Sequence, residues 1–347
     1  MDRALLAESF RFQSAMCAEQ GSPIYADLCA RAAADAEAGG LVWELARGFE
    51  GHPILAVLPL RILGAVHDLV LAGRAPGLAA FYPSAGGSFA AEGAWRALRE
   101  VVRAHADEIA ARLGRNVQTN EVRRSTALVG GFLRVARETG LALRLREIGS
   151  SAGLNLVWDR YRYALGPHRW GHPRARLALE TDWEGPPPDL DVPVRVADRR
   201  GCDVDPLDLR DEDACRRLAS FVWPEHTERL ARLRAAIEVA RADPPPLERM
   251  AAGDFVAREL AEPAPGRASV LFQSVMWWYV PEAERARIDR TLREAGARAT
   301  AQAPLAWLRL EGATKEAAEL RLLVWPGGED RLLARAHYHG AFVRWLG

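Results

Sequence analysis

The stretch LALRLREIGSSAGLNLVWDRYRY, Leu141 to Tyr163, constrains the fold more than any other part of the chain. Leu141, Leu143 and Leu145 stand two apart, the period of a strand with one buried face, and Glu147 closes that strand. Gly149-Ser150-Ser151-Ala152-Gly153 follows, a run of small residues suited to a tight turn of close approach. Leu154, Val157, Trp158 and Tyr161 then recur at helical spacing, so a helix is expected next. Strand, small-residue turn and helix make the geometry that holds a nucleotide-like cofactor in an α/β fold. The turn brings backbone amides close to the ligand, and the helix N-terminus offers unpaired N–H groups and a positive dipole end.

Before Leu141 the texture is different. Leu5 to Cys17, Ile24 to Ala38, Leu41 to Phe49 and Ile54 to Leu71 read as helices, the last more apolar than the others and so buried, with Pro59 an alternative start. Trp95 to Leu113 carries Leu98, Val101, Val102, His105 and Ile109 at three-and-four spacing and is expected to be one amphipathic helix. A further helix, Glu121 to Thr139, is expected to start at a Thr119 cap and stop at Gly140. No segment before Leu141 alternates like a strand. The pattern therefore predicts an all-helical cap domain over residues 1–140 and an α/β domain over 141–347.

From Leu141 onward, strands alternate with helices, the signature of a mostly parallel sheet. An insert near residues 164–190, rich in Gly and Pro, contains a short expected strand at Arg176 to Glu180. Val192, Val194 and Val196 lead a second strand. A helical stretch from Asp211 to Ala242 is broken at Pro224. Glu248 to Ala252 reads as a short strand ending at Gly253-Asp254-Phe255. The apolar run Ala268 to Trp277 marks a central strand, Pro281 to Glu294 a helix, and Leu305 to Leu310 and Leu320 to Trp325 two late strands. The tail, Leu332 to Trp345, is expected to add a last strand containing His337 and His339.

Bulk properties exclude several classes. Acidic and basic residues balance at 46 each in 347 residues, so no charge field points to nucleic acid or a membrane surface. Lys315 is the only lysine, a bias we read as GC-rich bacterial coding. Cys17, Cys29, Cys202 and Cys215 form no CxxC pair. The pairs His168/His172 and His337/His339 lack a third ligand at a set spacing, so no metal is expected. The start of the chain carries no export signal and no run spans a bilayer, which predicts a cytoplasmic protein acting on a small molecule.

Chemistry-bearing residues fall at the expected strand ends. Glu147, Gly149, Ser151, Gly153 and Asn155 surround the first turn. Asp203 and Asp205, in Gly201-x-Asp203-x-Asp205-Pro206, follow the second strand, where a carboxylate accepts from ribose hydroxyls. Asp254 and Phe255 offer an acceptor and an aromatic face for an adenine. Gln273 ends the central strand, where ligands of open α/β sheets sit. Trp277 and Tyr279 follow it, and Gln118, Thr119, Asn120 and Glu121 form a polar group at the domain junction. Each has a plainer reading: Asp254 and Thr119 as helix caps, the aromatics as packing, Arg123 and Arg124 as surface ion pairs.

Four such motifs in this order resemble the Rossmann-like S-adenosylmethionine-dependent methyltransferases over Leu141 to Glu311. The strings QTNEVRRSTAL, EIGSSAGLNLVWDRYRY, RRGCDVDPLD, FVWPEHTERLARLRAAIEVA and FQSVMWWYVP also look like a bacterial family known as domain of unknown function number 2332, over nearly the whole chain. The resemblance implies a Rossmann-like methyltransferase-type sheet with an N-terminal helical cap. It also implies an S-adenosylmethionine cofactor held by Glu147, the glycine turn, Asn155, Asp203, Asp205, Asp254, Phe255 and Gln273. Gln118, Thr119, Asn120, Glu121 and Trp277 would face a small acceptor, with Gln273, Tyr279 and Glu121 nearest the chemistry.

Two rivals stand beside this expectation. Gly149-x-Ser151-x-Gly153 also fits the nucleophile elbow of α/β-hydrolases, with His337 or His339 and Asp330 or Asp254 completing a triad. The other is a binder that keeps the cofactor site without transfer chemistry, a class suggested by the absence of an obvious base.

Overall fold

The computed structural model describes residues 2–347. The chain divides into two compact units, Met1–Thr119 with Asp211–Arg234, and Asn120–Arg210 with Ala235–Gly347. The division falls between Thr119 and Asn120 instead of at Gly140.

The first unit is helical: α1 (Arg3–Glu19), α2 (Pro23–Glu37), α3 (Leu41–Ala46), α4 (Leu58–Leu71), α5 (Pro76–Ala79), α6 (Ala91–Ala104) and α7 (Ala106–Arg112). Helix α4 is the axis of this unit, with nearly every residue buried, as its continuous apolar run requires. At Gly64 a Cβ would meet the Phe221 ring at 2.6 Å, so glycine there lets that ring lie against the helix. The single helix expected over Trp95 to Leu113 is two helices, because His105 (φ −127°, ψ 24°) leaves helical geometry and α7 restarts with Asp107 and Glu108 in its first turn.

The second unit begins with a short 3-10 turn, Val122–Arg124, and α8 (Ser125–Thr139). Gly140 ends α8 in the left-handed conformation (φ 65°), as expected. The Thr119 cap does not form; Glu121 caps the 3-10 turn instead, accepting from the Arg123 amide at 3.1 Å. Helix α8 is buried along most of its length and lies against the sheet. Cβ atoms at Gly130 and Gly131 would strike Trp345 and Leu308 at 2.5 and 2.4 Å. That close approach is why α8 belongs with the sheet.

The strands are β1 (Ala142–Ile148), β2 (Arg162–Leu165), β3 (His168–Trp170), β4 (Ala178–Glu184) and β5 (Val196–Asp203). Next come α9 (Glu212–Ser220) in the first unit, α10 (Thr227–Arg241), β6 (Leu247–Arg249), α11 (Ala252–Glu259), β7 (Arg267–Ser274) and α12 (Glu282–Ala297). The chain ends with β8 (Leu305–Gly312), β9 (Ala318–Trp325), β10 (Glu329–Ala336) and β11 (Phe342–Trp345).

All eleven strands join one mixed sheet in the order β3-β2-β4-β11-β10-β9-β8-β7-β1-β5-β6. The run β8-β7-β1-β5-β6 is parallel throughout. From β1 the chain passes first to one side, to β5 and β6, and then to the other, to β7 and β8. Strand order therefore reverses between β1 and β7, and a crevice outside the carboxyl ends lies at such a point in an open α/β sheet.

Three local expectations are corrected. No α-helix follows the glycine turn: Leu154–Arg160 is 3-10, kinked at Val157 (φ −105°, ψ 24°). Leu154, Val157, Trp158 and Tyr161 are all wholly buried, so their spacing reflects burial from several sides. The insert forms strands β2, β3 and β4, which widen the sheet. The tail forms two strands, with His337 and His339 in the turn between them.

Candidate functional site

The end of β1 places Glu147 at the centre of the parallel strands, 1% exposed. Its Oε2 is buried without a hydrogen-bond partner. Burial, then the nearby Asp203 charge, push its pKa well above the ordinary carboxyl range, while the Arg124 guanidinium pulls it partly back.

The glycine turn beyond it is left-handed at Gly149 (φ 67°), Ser151 (φ 52°) and Gly153 (φ 71°). Glycine adopts this freely and serine does not, so Ser151 is strained. The turn is tied down by the protein itself. Its Ser150 amide donates to Cys202 O at 3.0 Å and its Gly153 amide to Ser150 O at 2.7 Å. The Ser151 amide donates to Asp203 Oδ2 and the Leu154 amide to Asn120 Oδ1, each at 2.9 Å. With a kinked 3-10 turn in place of an α-helix behind it and these amides spent, the turn lacks the α-helix N-terminus that cradles a pyrophosphate. The Met276 side chain covers Gly149, where a Cβ would lie 2.9 Å from its Cε and Cγ.

Asp203 faces this turn from the end of β5. One oxygen takes the Ser151 amide and the other takes the Asp205 amide at 2.9 Å, so each oxygen keeps acceptor capacity. Asp205 instead pairs with Arg249 at 2.7 Å. Asn155 accepts from the Ser125 hydroxyl at 2.7 Å while its Nδ2 stays buried without a partner.

The ends of β7 and β8 complete the group. Gln273 is wholly buried and accepts from Trp307 Nε1 at 2.9 Å. Glu311, which sequence reasoning missed, accepts from the amides of Met276 and Trp277 at 3.2 Å. Burial raises its pKa to about 7, against the lowering effects of those amides, Arg124 and Gln273. A signal existed: β8 ends in Glu-Gly much as β1 ends in Glu-Ile-Gly. Arg124 is a correction too. It is 7% exposed, not a surface group, and donates to Ser274 O at 3.1 Å and Tyr338 O at 3.0 Å. It is the cation common to Glu147 and Glu311.

Other expected residues lie elsewhere. Phe255 is wholly buried in the apolar cluster with Ile148, Cys202, Val256 and Leu271, and has no face for an adenine. The reason is that β6 ends at Arg249 and α11 has begun by Ala252, which turns Phe255 inward. Asp254 sits in the first turn of α11 and pairs with Arg287 at 2.6 Å. Glu121 spends Oε1 on its cap and holds Oε2 3.8 Å from His339 Nδ1. Trp277 packs edge-on against Trp307 and Tyr279 is 72% exposed. Gln118 and Thr119 fall in the first unit, while Asn120 and Glu121 fall in the second. Among the described residues no three His, Cys, Asp or Glu side chains gather as a metal site, and no helix is long and apolar enough to cross a membrane.

The model of a family of uncharacterized proteins conserved in bacteria, DUF2332, matches residues 7–345. The chain belongs to this family. No curated protein and no solved structure matches it.

Proposed function

We propose that the carboxyl ends of β1, β5, β7 and β8 form a Rossmann-like site for S-adenosylmethionine, and that the protein transfers its methyl group to a small acceptor. One observation carries this reading: Glu147, buried at the point where strand order reverses, has a carboxylate oxygen with no partner. An unpaired buried carboxyl is costly and calls for a compensating donor or cation. The methionine ammonium is such a group. The spent amides of Ser150, Ser151, Gly153 and Leu154 argue in the same direction, since a phosphate-bearing nucleotide needs several free donors there.

In this reading Glu147 holds the ammonium and Asp203, not Asp205, accepts from the ribose hydroxyls through its remaining lone pairs. Asn155 Nδ2 and Gln273 supply further polar contacts. The bound cofactor contributes an electrophilic methyl group; the chain contributes orientation and exclusion of water, which suffice for in-line transfer to an acceptor that needs no proton removed. Isothermal titration with S-adenosylmethionine and S-adenosylhomocysteine tests it. Micromolar binding, weakened about tenfold or more in Glu147→Gln by loss of one charge-assisted bond, supports the reading. Failure of intact, folded protein to bind either nucleoside removes it.

A hydrolase is the second reading, because Ser151 combines a strained φ of 52° with a buried Oγ lacking a hydrogen-bond partner. A nucleophile needs a base within hydrogen-bond reach, and that Oγ has none. Covalent labelling of Ser151 by a fluorophosphonate would select this alternative. Binding without turnover across many acceptors would select a silent binder.

A further inference from the structure

Segment Val275–Tyr279 lies beside the proposed site and has an unusual construction. The Val275 amide makes a last bond to Leu310 O at 2.8 Å, after which the chain leaves the sheet. Val275 itself has φ 52°, a left-handed conformation that a β-branched residue adopts only under constraint. Met276 then lays its side chain over Gly149. The amides of Met276 and Trp277 both point at one carboxyl, Glu311. Arg124 fixes the segment's base through Ser274 O, and Val280 is buried at its far end. Between these anchors the segment turns as a 3-10 helix, Trp277–Tyr279, and is held by Glu311, by Met276 and Trp277 packed on the apolar cluster, and by Trp278 stacked on Tyr338.

We propose that Glu311 is the positioning residue of this site, governing whether Val275–Tyr279 lies as a strap over the glycine turn or lifts from it. The inference rests on reading the strand ends as a ligand site. A ligand resting on Gly149 must displace Met276, whose flexible unbranched side chain would then leave the edge of the apolar cluster on which it packs. Access to the turn therefore follows the strap.

The strap is coupled to protonation. The groups facing Glu311 are Arg124, Gln273, the Tyr338 hydroxyl, the two strap amides and, directly opposite on β9, Glu319, which pairs with Arg321 and Arg335; the Glu121–His339 pair adjoins Arg124 and Tyr338 in sequence. Burial is the largest influence on Glu311 and holds its pKa near 7 instead of the ordinary 4.5. Lifting the strap readmits water to the carboxyl and relieves that burial, which outweighs the two amide bonds lost with it. The ionised form therefore favours the lifted strap and the protonated form favours the closed one. The opening equilibrium rises as pH climbs from 4.5 toward 7 and levels off above.

Amide hydrogen exchange on the full chain, corrected for intrinsic rates, reads this directly at Met276 and Trp277 between pH 5 and 8. Opening in the wild type should increase about tenfold or more across that range. Glu311→Gln, a neutral isostere, should stay protected with no pH dependence and exceed the wild type at pH 8. A residue serving only as a hydrogen-bond acceptor predicts the reverse, and a Gln variant less protected than the wild type, or with its pH profile, overturns the proposal. His339→Gln should keep the wild-type profile; loss of the profile there overturns it as well. If Glu311→Gln fails to fold, Met276→Ala serves: by removing the side chain that a ligand must displace, it should tighten S-adenosylhomocysteine binding several-fold without altering the pH profile of the strap amides, and unchanged affinity overturns the proposal. Exchange as expected without nucleoside binding would defeat the functional reading alone, whereas nucleoside binding with pH-indifferent strap amides would defeat the strap alone.

Discussion

His67 in the helical unit and Glu147 in the sheet unit are both buried and both titratable, yet their own hydrogen bonding differs. His67 Nδ1 meets Ser220 O at 3.0 Å and Nε2 meets Ser84 Oγ at 2.8 Å, so both ring nitrogens are satisfied. Its neighbour Asp68, 4% exposed, takes Arg216 at 3.0 Å on one oxygen and Arg112 on the other. At the strand ends, by contrast, Glu147 Oε2, Ser151 Oγ and Asn155 Nδ2 are buried with no partner inside one short stretch of chain. Satisfied buried groups hold a fold together, whereas a cluster of unsatisfied ones costs stability and needs another explanation, here a ligand.

The largest test of this contrast is Asp68→Ala, which leaves two guanidinium groups of the helical unit without their carboxylate. Removing one partner of a buried ion pair costs about 3–5 kcal/mol, and urea unfolding should show a loss of that order. A loss below about 1 kcal/mol would place Asp68 with ordinary surface pairs and blur the comparison. Phe255→Ala belongs at the same level. Truncating a buried aromatic costs about 3–5 kcal/mol, and nucleoside affinity in the remaining folded protein should not change, since the ring lies in the core.

Next comes pH, where the two units should slope in opposite directions. Burial lowers the His67 pKa from 6.5 to about 4, so the unfolded chain binds more protons there and stability is lost as pH falls from 6.5 to 4. Glu311 is raised from 4.5 to about 7, so the folded chain binds more protons and stability is lost as pH rises through that window. Each shift corresponds to about 3 kcal/mol at full extent. Unfolding of Glu311→Gln compared with wild type at pH 5 and pH 8 isolates the second effect; the variant should gain relative stability at the higher pH. Equal differences at both values would mean that Glu311 ionises as it does in the unfolded chain.

The same contrast explains what could be read from the sequence. Strand β1 was legible because Leu143 and Leu145 face one side of a sheet, and α4 because a helix buried along most of its length is largely apolar. Gly140 and Pro224 marked their breaks by backbone geometry alone. The segment after the glycine turn was not legible, because Leu154, Val157, Trp158 and Tyr161 are buried in a 3-10 turn whose spacing imitates a helix. Among site residues, Glu147 and Asp203 stood out as acids at strand ends. Arg124 did not, because in a chain with one lysine an arginine carries little signal until the carbonyls that it meets are known.

The smallest effect offers the finest discrimination. Ser151 has φ 52° and a buried, unpartnered Oγ, so glycine at that position relieves both the backbone strain and the desolvated hydroxyl. Offset by the greater freedom of glycine in the unfolded chain, Ser151→Gly should stabilise the protein by about 0.5–1 kcal/mol, measured as a rise in the urea midpoint at constant slope. A structural serine, like the capped and paired groups of the helical unit, would lose stability instead. A ligand-facing serine should gain stability and lose nucleoside affinity, whereas a nucleophile should gain stability and lose only its labelling by a fluorophosphonate.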